Sequence, residues 1–103
     1  MKIIIDECVP SIVRQGLPDR DIVSVQQRGW SGIKNGELLR RVSGEFDVFI
    51  TSDKNLKHQQ NLTLLKLSII VLPTNQVPAV KLLLPDIDSA LSQIKEGDLI
   101  EIG

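Results

Sequence analysis

The stretch Lys2-Ile3-Ile4-Ile5-Asp6-Glu7 decides how the rest of the chain is read. Three consecutive β-branched residues make a short apolar run, and two carboxylates follow it at once. A continuously apolar run, as opposed to an alternating one, is the pattern of a strand covered on both faces, as in a parallel sheet. The pattern recurs at Ile22-Val23-Ser24-Val25, Val48-Phe49-Ile50 and Ile69-Ile70-Val71-Leu72. Leu99-Ile100-Glu101-Ile102 alternates at its end and reads as a half-exposed edge strand.

The intervals read as helices. Pro10 suits a first helical position, Ile12, Val13 and Leu17 give that helix an apolar side, and Gly16 and Pro18 stop it. Asn35 is placed to cap a helix that carries Leu38, Leu39 and Val42, with Gly44 as its stop. Val77, Val80 and Leu84 suggest a short helix broken at Pro85. Pro85 and Asp86 open the next one, where Ile87, Ala90, Leu91 and Ile94 share one face before Gly97 closes it. Strand and helix in alternation predict a single α/β domain over residues 1–103. The expected form is a three-layer α/β/α sandwich, with a mainly parallel sheet of about four to five strands joined by right-handed crossovers.

Composition narrows the function. Lys plus Arg is 12 and Asp plus Glu is 13, a net charge of −1, so this is no basic nucleic-acid coat. Contact with nucleic acid must then come from a local basic patch, or from metal ions that offset carboxylate charge. The single cysteine, Cys8, forms no intrachain disulfide and predicts a reducing, cytoplasmic compartment; it reads as a small buried residue at a helix start. No apolar run reaches the ~20 residues that span a membrane, so no membrane association is expected. The apolar stretch at the N-terminus is interrupted after Ile5 and is too short for a signal peptide. There is no CxxC, HExxH, P-loop or GxSxG, so zinc, nucleotide and serine-hydrolase chemistry lack support.

Ligands of open α/β sheets bind beyond the carboxyl ends of the strands. Asp6 and Glu7 follow the first run, Thr51-Ser52-Asp53 the third, and Pro73-Thr74-Asn75 the fourth. With the first strand central, Asp6 and Asp53 approach each other, and Glu37 near the start of the Asn35 helix can supply a third carboxylate. Crowded carboxylates raise one another's pKa, and a hard divalent cation, Mg²⁺ or Mn²⁺, relieves the conflict. Each acid also has a purely structural role open to it: Asp6 and Glu7 in a turn, Asp53 as a helix N-cap, Glu37 against a helix dipole. Lys54, Asn55, Lys57, His58 and Asn75 are candidates for contact with RNA, as part of a polar wall that runs on through Gln59, Gln60 and Asn61. Trp30, in the Gly29-Trp30-Ser31-Gly32 loop, suits either core packing or stacking on a base.

These residues resemble a known family. Met1 to Pro10, MKIIIDECVP, is similar to the opening of PIN-like nuclease domains of the short type often seen as toxins, in which a strand ends in an Asp-Glu pair just before a helix. Asn35-Gly36-Glu37-Leu38-Leu39 resembles the helix start where that family carries an acid. Phe49-Ile50-Thr51-Ser52-Asp53-Lys54-Asn55-Leu56 resembles its strand-exit motif, Thr-x-Asp-x-Asp-Phe in the commoner form. The likeness runs from Met1 to about Asn75. It implies a PIN-like fold and a metal-dependent endoribonuclease, with Asp6, Glu37 and Asp53 as catalytic acids and metal ligands; Glu7 beside Asp6 is a further candidate ligand that can compensate for missing charge. It also implies a toxin role with a small antitoxin partner, and homodimers. The chain departs from the pattern at Asn55 and Leu56, in place of Asp and Phe, and at Asn75, near the family's last acid. An amide ligates without charge, so this site carries less negative charge than the pattern.

Two other functions compete. One is a catalytically silent member that binds RNA or protein, as Asn55 and Asn75 suggest. The other is a receiver-like phosphoacceptor with Asp53 as the acceptor; it requires a Lys at the exit of the last strand, which here leads only to Gly103.

Overall fold

The apolar runs form five strands, β1 (Lys2–Ile5), β2 (Asp21–Ser24), β3 (Val48–Thr51), β4 (Ser68–Val71) and β5 (Leu99–Glu101), in a computed structural model that describes residues 1–58 and 66–103. All pair in parallel, in the order β2-β1-β3-β4-β5. The chain leaves β1 in one direction along the sheet and returns past it to β3, so the topological switch point lies between β1 and β3. Ile3 pairs with Val48 and Ile5 with Ile50, which sets Asp6 and Thr51 side by side just past the register.

Alternation of side chains divides the core in two. Ile3, Ile5, Val48, Ile50, Ile70 and Leu72 face α1 (Ile12–Gly16), α3 (Val77–Leu82) and α4 (Leu84–Gln93), meeting Val13, Val80, Ile87 and Leu91. Ile4, Phe49, Ile69 and Val71 face α2 (Asn35–Glu45) through Leu38, Leu39 and Val42. The result is a three-layer α/β/α sandwich. Each fully buried Ile contributes roughly 1.5–3 kcal/mol by removal from water, which explains why an aliphatic core suffices. Among the described residues no helix is long and apolar enough to cross a membrane.

The crossovers do not all share one hand. Those through α1 and α2 run in opposite directions along the sheet over opposite faces, and so agree. The β4–β5 crossover runs in the same direction as β2–β3 but over the other face, and so has the opposite hand. Coverage gives the reason. α1 has five residues and cannot cover its face alone, and α3 and α4 complete that layer.

Helix ends also differ from expectation. α1 begins at Ile12 with Pro10 in the turn before it, and Asn35 is the first residue of α2 with Lys34 at the cap position. Gly44 lies inside α2; the helix stops after Glu45, where Phe46 turns extended to enter β3. α4 stops at Gln93, and Gly97, at φ 82°, makes the turn into β5.

Candidate functional site

Side-chain parity places the strand-exit groups. Asp6 follows Ile4 and Thr51 follows Phe49, both of which pack toward α2, so the polar groups past the strand ends gather on the α2 side of the carboxyl edge. The Asp6 N–H donates to Ile50 O at 2.9 Å and extends the β1–β3 ladder by one step. Its Oδ1 accepts from the Glu7 N–H at 2.8 Å, and its Oδ2 accepts from the Thr51 hydroxyl at 2.9 Å and from the Cys8 thiol at 3.6 Å.

Thr51 is fully buried. Its Oγ1 also accepts from the Asp53 N–H at 3.1 Å, so one hydroxyl joins the Asp6 carboxylate to the backbone that presents Asp53. Asp53 Oδ1 accepts from the Asn55 N–H at 3.0 Å and caps the 3-10 turn Lys54–His58. Asp53 Oδ2 accepts from Asn35 Nδ2 at 3.2 Å. Strand β1, strand β3 and the first turn of α2 therefore meet at two half-buried carboxylates. The N-cap role open to Asp53 is realised, and it leaves the carboxylate in the cluster.

The other predicted acids are placed differently. Glu37 sits in the first turn of α2 with its two oxygens on Arg40 and on Arg41, the latter at 3.0 Å. The hydrogen bond from Arg41 holds the Glu37 carboxyl below its ordinary range; desolvation opposes it, and the hydrogen bond from Arg40 and both positive charges add to the lowering. Glu7 is exposed, and its Oε1 accepts from the Gly32 N–H at 2.6 Å, which fastens the Gly29–Gly32 loop to the β1 exit. Among the described residues no three of His, Cys, Asp and Glu gather as a metal-holding group.

Of the residues predicted to meet RNA, Asn55 supplies the capped N–H, and its side chain is exposed. Lys54 is exposed beside a cleft of about 170 Å³ with Pro73, Glu101 and Gly103, past the ends of β4 and β5. Asn75 is exposed and bonds its neighbour Gln76 at 3.3 Å. Lys57 and His58 belong to the 3-10 turn by backbone, but their side chains lie outside the described residues, as do Gln59, Gln60 and Asn61. Trp30 packs: it is 9% exposed, lies in the α2 core and meets Phe46 edge to face at 6.2 Å between ring centroids. Cys8 is half-buried in the turn ahead of α1 and bonds Asp6.

Two participants, Thr51 and Asn35, were not foreseen as site residues. The signal for Thr51 was parity: a polar side chain in phase with Phe49 points inward and must find a partner. Asn35 read only as a cap, and nothing local in the sequence links it to Asp53, 18 residues on.

No family model matches the chain, and no match was found among curated proteins or solved structures.

Proposed function

We propose that the chain is a metal-dependent endoribonuclease whose Asp6 and Asp53 hold one Mg²⁺ or Mn²⁺. The single observation that carries this reading is the Thr51 hydroxyl, which joins the two strand-exit acids at the switch point of the sheet. The donor set fits the ion. A carboxylate has about four lone-pair sites, and neither acid uses all of them in its hydrogen bonds. Mg²⁺ is commonly held by one or two carboxylates, with water and substrate phosphate completing its shell. When bound, such an ion supplies a water of lowered pKa and offsets charge on a phosphodiester.

The chain's own residues do the positioning. Thr51 fixes the rotamer of Asp6, and Asn35 and the Asn55 N–H fix Asp53. Glu37, two residues after Asn35 in the same turn, joins the acids once its exposed ion pairs open. The motif resemblance to short PIN-like nucleases supports the further assignment to a cytoplasmic toxin with a small antitoxin partner and a homodimeric form.

A second reading, a catalytically silent module that binds RNA or protein, is favoured by the commitment of Glu37 to Arg40 and Arg41. Calorimetry separates the two. Mn²⁺ binding by the wild type that is lost in Asp6→Asn/Asp53→Asn, together with metal-dependent RNA cleavage lost in the same variant, supports the nuclease. Absence of binding, or cleavage undiminished in the variant, overturns it.

A further inference from the structure

We propose that an arginine-lined groove along α2 takes the phosphates of single-stranded RNA flanking the strand-exit site, an inference that rests on the nuclease reading. The groove encloses about 590 Å³ and is lined by Arg28, Trp30, Arg40, Arg41, Gly44 and Glu45. Three guanidiniums and one carboxylate line it in a chain whose net charge is −1, so this concentration of positive charge is local.

Its parts are set for an anion. The Arg28 guanidinium lies over the Trp30 ring at 4.7 Å from the centroid and over Phe46 at 5.7 Å, and it pairs with Glu45. Cation–π contact with two rings holds the donor fork in place, so little freedom is lost when it meets a phosphate. Arg40 and Arg41 are 74% and 45% exposed, and they hold Glu37 in surface ion pairs, which are weak enough for a phosphate to displace. Gly44 lies within α2, where glycine is unfavourable, and a Cβ built there would meet nothing within 4 Å. The absent side chain leaves the groove open.

Continuity with the site favours RNA over an acidic peptide. α2 begins at Asn35, which touches Asp53, and Arg40 lies about 8 Å further along the axis at 1.5 Å per residue. A strand whose scissile phosphate sits at Asp6 and Asp53 therefore has its flank within reach of Arg40, Arg41 and Arg28. Phosphate at Arg40 and Arg41 also displaces Glu37 in the turn next to Asp53, so occupation of the groove and release of the third acid are coupled.

The test is anisotropy of a labelled 12-nucleotide single-stranded RNA against the whole chain in EDTA, over a salt series. We expect Arg28→Gln and Arg40→Gln each to weaken binding about three- to tenfold and to lower the slope of log affinity against log salt by about one. Gly44→Leu fills the groove without a change of charge and should weaken binding with the slope unaltered. Lys81→Gln removes the same charge from α3 on the opposite layer and should leave both unchanged. Equal effects from Lys81→Gln, no effect from the groove variants, no RNA binding, or a polyglutamate peptide that outcompetes RNA would each overturn the proposal. Since no divalent ion is present, failure of the metal site leaves this result standing, and failure of the groove leaves metal binding by Asp6 and Asp53 intact.

Discussion

Two sets of acids stand at the same end of the molecule and are held in opposite ways. One buried hydroxyl at the end of β3 holds the Asp6 carboxylate, 45 residues away in sequence, and the backbone N–H of Asp53. Glu37 is fixed by arginines three and four residues further along its own helix, in water. The first arrangement exists only when the sheet is assembled; the second needs only the helix. Precision at the site therefore comes from β1 and β3, and adaptability from α2.

The comparison breaks most readily at Thr51. Thr51→Val keeps the shape but removes the hydroxyl donor from Asp6 Oδ2, leaving it only the weaker Cys8 thiol, and leaves the Asp53 N–H without its acceptor. The expected cost is about 1–3 kcal/mol of unfolding free energy, read from urea denaturation. Mn²⁺ affinity should fall by about 10- to 100-fold in calorimetry, the range for loss of a group that orients a metal ligand. A Thr51→Val chain that keeps both stability and affinity would show that the hydroxyl does not organise the acids.

Asn35→Ala sharpens the contrast. Ala is the better helix former in the first turn of α2, which offsets the lost hydrogen bond to Asp53, so the denaturation midpoint should barely move. Metal affinity should still drop severalfold, because Asp53 Oδ2 loses the donor that orients it. Separation of the two readouts is the mark of a positioning residue, and a parallel fall in both would make Asn35 merely structural.

The same contrast explains what the sequence made legible. The three central strands were readable because Ile3 to Ile5, Val48 to Ile50 and Ile69 to Leu72 are buried on both faces, and that pattern is local. The strand-exit positions of Asp6 and Asp53 followed from the strands. The partners of those acids did not, since the β1–β3 register and the approach of α2 are set by packing across the sheet. Glu37 shows the converse. Its spacing to Arg40 and Arg41 is a local pattern of helix-surface ion pairs, and the structure holds its carboxylate there. The helix ends at Gly44 and Gly97 were misjudged because glycine marks a stop only where the chain needs it. Phe46, extended ahead of β3 and packed against Trp30, ends α2, and Gly97 serves the next turn.

The smallest expected effect concerns Glu37. Its folded carboxyl pKa lies below the ordinary 4.5, chiefly through the hydrogen bond from Arg41. A lowered folded value means that the ion pairs favour the folded state above about 4.5 and that this contribution is lost as pH falls through the lowered value. Carboxyl-detected NMR titration should show the Glu37 midpoint rise toward 4.5 in Arg41→Gln and in high salt, which screens exposed pairs. The denaturation midpoint of Glu37→Gln near neutral pH should fall only slightly, as expected for a group in solvent. A midpoint for Glu37 that ignores Arg41 would mean that the carboxylate already spends its time elsewhere. If that place is the cluster at Asp53, the division between a pair of acids held across the sheet and a third held by its own helix disappears.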